Sequence, residues 1–487
     1  MPIDAAAAPN HATRTFVASK LALPAVVAIS LGIILTRVIA IGDRQPLDFN
    51  EGWNALHAAL PRGVGGLYPD PAGLVANNYP PLSFLLVHAL AGPDGDLIVT
   101  GRMLSLAGMV AVAGMVFAAI RRLAPRTPGA AWLGLTTFLA FNATLFRAYV
   151  GMNDPQWQGH ALATAGLLLL LWQRPGRNLP RRRVAAAGLL AIAGGAVKHN
   201  LVAIPAAVTL WLLARDRRAL AAWVGAGVGS VILAGWVDHA LFGGRMLASM
   251  AGFSRSYSLT RMFGHGALGI AFAPLIALAW RLRRLGGADG RMRLLADGSM
   301  IAVVVAIVQG SGAGVDVNAW FEALILLSIA APVGAAHVVR PLWRLAPTTV
   351  MTGLAAVLLP FGLAVSADEL AGREERLAQA ERMTAAISAI PGPVACQMQA
   401  LCYWAGKSLA LDFFMVGQKL AGKPDATLAE QLGSLRLGGV EMEGPPGPPD
   451  SLEARLVGNR APAVIVSRRR LYVFAPVVSH QASARVP

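Results

Sequence analysis

LALPAVVAISLGIILTRVIAIG, residues 21–42, runs straight into DRQPLDFNEGWN, residues 43–54. The first segment is apolar for longer than the roughly 7–15 residues of a cleaved signal core, so it reads as a retained membrane span. Arg14 and Lys20 stand before it, which places residues 1–20 on the cytoplasmic side and the following acidic, aromatic stretch on the outer face. Asp48 and Glu51 are three residues apart, so a helix here would carry both carboxylates on one face, beside Trp53 and Asn54. Such a pair at a membrane surface suits a general base and its partner. It equally suits a solvated loop that ends in an ordinary helix-start acid. Topology has to weigh the two.

The 487 residues are 55% hydrophobic and only 14% charged, with a mean hydropathy of +0.54. A soluble domain is about 25% charged, so this is the composition of a polytopic membrane protein. The net charge of +16 does not point to nucleic acid, because the arginines fall in short turns between apolar runs, where cytoplasmic anchors belong. No basic–aromatic interleaving accompanies them. Cys396 and Cys402 supply no metal framework and at most one disulfide, which the oxidising outer face permits and spacing alone leaves open.

Taken in order, further apolar runs lie at about 100–120, 131–150, 159–172, 184–197, 201–213, 219–241, 267–280, 300–308, 322–338 and 348–366. With the first run they make about eleven spans, each near the roughly 20 residues a bilayer needs once polar ends are counted. Residues 81–90 are apolar but too short to cross and read as an interfacial helix. Arg121-Arg122, the basic run Arg174 to Arg183, Arg215 to Arg218, Arg281 to Arg284, and Arg340 with Arg344 then all fall on one side. The expected fold class is an all-α polytopic membrane protein with a small α/β domain at its C-terminal end. Residues 21–366 form the transmembrane domain, with an outer loop at 43–99; residues 367–487 form the extracytoplasmic domain. In that tail, Asp368 to Met383 reads as a charged helix, the segments around Val394 and at 463–466 as strands, and Gly444 to Pro449 as a loop.

On this topology the outer loops collect the polar residues. Asp48, Glu51, Trp53, Tyr68, Asn77, Asn78 and Tyr79 lie in the first, Asn153 and Asp154 in the next, and Lys198-His199-Asn200 in a third. Arg245, Arg255, Tyr257 and Arg261 follow, then Gln309, Asp316, Asn318 and Glu322. Ionisable groups at membrane depth cost several kcal/mol unless paired or solvated, so a functional cavity is the default reading. Carboxylates can deprotonate or orient an incoming hydroxyl. Cations (Lys198, His199 and one or more of Arg102, Arg255 and Arg261) can neutralise a phosphate leaving group. Each residue also has a plainer reading: Lys198 and His199 as a snorkelling span end, Asp154-Pro155 as a helix-start pair, Arg102 as an interfacial anchor. There is no Gly-x-Ser-x-Gly elbow and no His-Glu-x-x-His helix.

The succession Asp48…Glu51, Tyr79-Pro80-Pro81-Leu82 and Gly101-Arg102 resembles the C-type (GT-C) glycosyltransferases, within them the dolichyl-phosphate-mannose mannosyltransferase and lipopolysaccharide-core glycosyltransferase group. Asn153-Asp154-Pro155, Lys198-His199-Asn200 and Asn318…Glu322 fall where that group has outer-face polar motifs, and Gly406-Lys407 and Asp412-Phe413-Phe414 are similar to its short outer domain. The resemblance implies an inverting transferase of the cell envelope that uses a polyprenyl-phosphate sugar, hexosyl or pentosyl, and a glycan, glycolipid or protein acceptor. It implies an address in the inner (plasma) membrane. Asp48 would be the catalytic base or would orient it, with Glu51 and Asp154 as further catalytic acids. Lys198 and His199 would contact the lipid phosphate; Trp53, Tyr79, Arg102, Asn153, Arg255, Asn318 and Glu322 would bind substrate. Some relatives use a divalent metal, magnesium or manganese, and the sequence leaves that open. The first motif is Asp-x-x-Glu rather than an adjacent pair, so which acid is the base is open too. Two other readings are a transporter or flippase of a lipid-linked saccharide, which internal repeats and mid-bilayer polar groups would mark, and a non-catalytic envelope assembly protein.

Overall fold

The computed structural model describes residues 11–60, 66–173, 179–252, 255–285, 289–337, 341–421 and 426–474. Residues 1–10, Arg174 and Arg340 of the sequence reading lie outside them. The long helix α1 (His11–Ile39) is followed by two short ones, α2 (Phe49–Ala59) and α3 (Leu82–Ala91). Then come α4 (Leu97–Leu123), α5 (Pro128–Ala143), α6 (Gln156–Leu171), α7 (Arg181–Val197) and α8 (Ala203–Arg215). After α9 (Arg217–Phe242) and the short α10 (Arg245–Gly252) the chain continues through α11 (Leu259–Leu285), α12 (Gly290–Gln309), α13 (Phe321–Ala336) and α14 (Pro341–Ala371).

Each expected span has its helix, and the short apolar run at 81–90 is α3. Among the described residues seven helices are long and apolar enough to cross a membrane, in α1, α4, α9, α11, α12, α13 and α14. α5 to α8 have only 16, 16, 17 and 13 residues, short of the roughly 20 that span a hydrocarbon core. Length and composition by themselves mark those seven. The four shorter helices are still built into the bundle: Phe138, Leu139, Leu167, Leu170, Ala187 and Val208 belong to one buried apolar cluster with residues of α1, α4, α12 and α13. Outward-facing Val231, Ile232, Trp236, Ile270 and Val357 are exposed. Such a surface suits hydrocarbon, where backbone polar groups must be satisfied inside helices. The chain is a multi-pass membrane protein.

Hydrogen bonds divide the bundle into two ends. At one end, Arg102 of α4 donates to the carbonyls of Ile41, Asp43 and Gln45 just beyond α1. Gln309 at the end of α12 donates to Asn200 O between α7 and α8, at 2.8 Å. Glu322 near the start of α13 accepts from Ala203 N and Ile204 N, at 2.9 and 2.7 Å. Glu369 at the end of α14 pairs with Arg147 and, at 3.4 Å, with Arg37. At the other end the contacts come from the arginine turns: Arg122 donates to Trp172 O at 3.3 Å, and Arg291 donates to Gln173 O at 2.9 Å.

After α14 the chain breaks at Gly372 and resumes as α15 (Arg373–Ser388), so the charged stretch expected as one helix from Asp368 is shared between two. Strand β1 (Val394–Cys396) and helix α16 (Gln399–Trp404) follow, then α17 (Phe413–Ala421) and α18 (Ala426–Ser434). Strand β2 (Gly439–Glu443), helix α19 (Leu452–Val457), β3 (Val464–Val466) and β4 (Arg469–Val473) complete the domain. The sheet order is β1-β2-β4-β3, parallel only between β1 and β2. The expected strands are β1 and β3; β2, just before the Pro-Gly loop, and β4, both carrying charge, were not expected.

Cys396 and Cys402 form a disulfide that ties β1 to α16 across a sequence separation of 6, with Cα atoms 5.9 Å apart. On loop entropy alone a bridge this short contributes about 2 kcal/mol. The double replacement Cys396→Ala with Cys402→Ser is expected to lower the melting temperature of the purified protein. An unchanged melt would show that the bridge constrains nothing the hydrophobic contacts of this small core do not already hold.

Candidate active site

The first loop folds onto the bundle because α2 starts there. Asp48 is its N-cap: the backbone is extended (φ −157°, ψ 159°), and Oδ1 accepts from Asn50 N at 2.9 Å, satisfying one orphan donor of the first turn. Among the described residues Oδ2 takes no hydrogen bond. Partial burial raises the Asp48 pKa above its ordinary value, and the like charges of Asp154, Asp316 and Glu51 add to the rise against the Asn50 N–H.

Glu51, one turn on, has the opposite environment. It is 0% exposed, and its two oxygens accept from Arg102 Nε and Nη2, each at 2.7 Å. It also accepts from Leu47 N at 2.9 Å and Asn153 N at 3.0 Å. Arg102, likewise 0% exposed, uses Nε, Nη1 and Nη2 on Glu51 and on the three carbonyls beyond α1. The two acids expected on one face therefore part company: one is half-open at the helix start, and the other is locked into the bundle. Arg102 has no N–H left for a ligand. Gly101 is part of this packing, because a Cβ there would collide with the Asn153 side chain. Asn153 in turn donates from Nδ2 to Glu51 O at 3.0 Å and accepts at its carbonyl from Asn54 Nδ2 at 2.9 Å.

Beside this clamp lies a cavity of about 450 Å³ whose walls include Phe49, Asn50, Trp53, Tyr79, Tyr149, Lys198 and His199. Arg255, Tyr257, Gln309, Asn318, Asp412, Phe414 and Met415 complete much of the rest. Lys198, the C-cap of α7, reaches Tyr79 Oη at 2.8 Å and Asp154 Oδ2 at 3.1 Å. Its ammonium also sits 4.0 Å from the Tyr79 ring centre. Asp154 is buried behind it and accepts from Gln156 N at 2.9 Å. Tyr149 on the far wall donates to Asp316 Oδ2 at 3.1 Å.

Of the residues singled out in the sequence, Trp53, Tyr79, Lys198, His199, Arg255 and Asn318 line this cavity. Asp48 is not itself a wall residue, although its neighbours Phe49 and Asn50 are. Asp154 stands one side chain behind the wall, through Lys198. Glu51, Arg102 and Asn153 form the clamp. Glu322 is not a wall residue: its carboxylate caps the start of α8, accepting from Ala203 N and Ile204 N just after the wall residue Val202.

Sequence reasoning did not single out Asp412 as a site residue. It comes from the C-terminal domain, is 1% exposed, and accepts from the Trp53 indole Nε1 at 2.7 Å and from Met415 N at 2.9 Å. Burial pushes its pKa up to about 6, against the pull of those donors and of Lys419. Among the described residues no group of three or more His, Cys, Asp or Glu gathers as a metal cage. No step below runs through a metal.

No family model matches the chain, and no curated protein matches it. Two solved structures of ArnT from Cupriavidus metallidurans are similar to it, one bound to undecaprenyl phosphate and one in the apo state. Each superposes with a TM-score of 0.58 at 13% identity; the first covers 93% of this chain and 98% of its own, the second 92% and 97%. The likeness over nearly the whole length shows that this chain has the fold of ArnT.

Proposed function

We propose that this chain, which has the C-type glycosyltransferase fold, is an inverting glycosyltransferase that moves a hexose or pentose from a polyprenyl-phosphate donor to an acceptor at the outer face of the membrane. The observation that carries the reading is Lys198: a buried ammonium at the wall of an aromatic cavity, held by Asp154 and Tyr79, at the helix end opposite the arginine turns. A lysine held in this way is a point charge placed for an anionic leaving group. The undecaprenyl phosphate bound by ArnT supports a lipid phosphate as that group. The disulfide in the C-terminal domain and the arginine-rich opposite end support an outer-face orientation.

In this reading the acceptor hydroxyl attacks the anomeric carbon from the side away from the phosphate. The bond between that carbon and the phosphate oxygen breaks, and the lipid phosphate leaves with the electron pair against Lys198 and Arg255. The hydroxyl proton passes to Asp48, whose raised pKa brings a carboxylate closer to the operating pH of a general base. Glu51 and Arg102 act indirectly, by fixing the loop that presents Asp48. Asp154 keeps Lys198 charged and in place. The acceptor is a glycan, a glycolipid or a protein of the cell envelope.

The test is transfer from a panel of labelled polyprenyl-phosphate sugars by the protein in lipid nanodiscs, with Lys198→Met alongside. Transfer from at least one donor is expected, and undecaprenyl phosphate, the product anion, should bind Lys198→Met about 10–100-fold more weakly, as for loss of one charge-assisted contact. Movement of an intact lipid-linked sugar across the bilayer without transfer would favour a flippase. No turnover with any donor, from folded protein, would leave the assembly reading standing instead.

A further inference from the structure

We infer that the C-terminal domain supplies one wall of the catalytic cavity and that Asp412 is a positioning residue, fixing the Trp53 indole against which a saccharide packs. The inference rests on the glycosyl-transfer reading and assigns a role that reading does not need.

Three observations carry it. Asp412, Phe414 and Met415 line the same cavity as Tyr79 and Lys198, so an outer domain joined to the bundle only after its last helix faces the reacting space. Phe414 also stands opposite Phe49 of the first loop, with ring centres 6.2 Å apart.

The second observation concerns what the Asp412 carboxylate is for. Docking of the domain has other anchors. Lys419 Nζ donates to Pro71 O and Gly73 O at 2.8 and 2.7 Å, and Asp412 N, a backbone group, donates to Leu74 O at 2.9 Å. Trp404 Nε1 donates to Asp96 Oδ2 at 3.0 Å, and Leu97 N donates to Tyr403 Oη at 2.9 Å. α16 also lies so close on α2 that a Cβ on Gly52 would collide with the Ala400 backbone. None of these anchors uses the Asp412 carboxylate, whose Oδ1 accepts from Met415 N at the start of α17, at 2.9 Å. Its contact across to the membrane domain is the indole of Trp53.

The third is the route onward. Trp53 packs edge-on to Tyr79, with ring centres 4.8 Å apart and planes at 64°, and the Tyr79 hydroxyl accepts from Lys198. A hydrogen bond from the outer domain thus sets the tilt of one ring, and that ring bears on the tyrosine that holds the phosphate-facing ammonium. Aromatic faces of this kind take the apolar face of a sugar ring, and their value depends on a fixed plane.

The test uses the full chain in nanodiscs with Asp412→Ala, Trp53→Phe and the double variant. Trp53→Phe keeps a ring and removes the N–H. Each single variant is expected to raise the KM for the saccharide-bearing substrates about tenfold with a smaller change in kcat, a loss of shared binding. The double variant should lose no more than either single one, because the donor and acceptor act as one unit. Additive losses, or a fall in melting temperature without a KM change, would overturn the inference. A readout free of turnover separates it from the reaction assignment: in protein labelled with ¹⁵N-tryptophan, the indole resonance absent from Trp53→Phe should shift in Asp412→Ala. If wild type transfers no sugar but that resonance moves, the reaction assignment fails while the positioning contact stands. An unmoved resonance removes the positioning role whatever the activity.

Discussion

Replacing Asp48 by Asn should lower sugar transfer by about 10²–10⁴-fold, the range for loss of a positioned base, while the protein inserts and melts like wild type. Asparagine keeps an Oδ1 that can accept from Asn50 N, so the cap of α2 survives. What disappears is the negative charge. The same variant reads the pH profile. Burial and the like charges of Asp154, Asp316 and Glu51 raise the pKa of Asp48, and the deprotonated form is the one that accepts a proton. Activity in wild type should therefore fall, as pH drops, at a pH above the ordinary aspartate value of about 3.9. That acid limb should be missing from the residual activity of Asp48→Asn. Transfer undiminished in the variant, in protein shown to be folded, would remove Asp48 from the chemistry.

Glu51 should behave in the contrary way. Glu51→Gln leaves the Arg102 guanidinium buried with no counter-charge, and breaking a buried pair on one side costs about 3–5 kcal/mol. Both partners are fully enclosed and share two contacts of 2.7 Å, so no solvent screening softens the loss. The expected result is poor yield and a lower melting temperature in detergent, with activity per folded molecule better kept than in Asp48→Asn. The double variant Glu51→Gln with Arg102→Gln should recover part of the stability, since the charge is then absent on both sides. If Glu51→Gln folded like wild type and lost only turnover, the two acids would exchange roles. The first motif would then have its base at the fourth position rather than the first.

Much of the membrane part was legible because a bilayer writes itself into sequence directly. An apolar run near the span length and an arginine turn need no knowledge of neighbours, so α1, α4, α9 and α11 to α14 follow from composition taken in order. α5 to α8 were visible too, as short apolar runs at nearly the positions the helices occupy; that they are walled in by other helices is set by packing. In the C-terminal domain β1 and β3 are apolar and were seen. β2 and β4 carry Glu441, Glu443, Arg469 and Arg470, and their pairing becomes favourable only when they lie side by side, with Arg469 on Glu441 at 2.9 Å.

The sequence by itself determined that this is a helical membrane protein and which of its ends gathers acids, amides and aromatic rings. Those are properties of runs and of sidedness, and they survive without contacts. Only the tertiary structure decided the division of labour among like residues. Asp48 and Glu51 are alike on the page; one ends in a half-open cap and the other in a guanidinium 51 positions away. Asp412 lies 359 positions from the indole it holds, and Glu322 is spent on the N-terminus of a neighbouring helix. The physical reason is common to all of them: the free energy of a buried charge depends on the partner that neutralises it, and that partner is chosen by packing rather than by proximity in the chain.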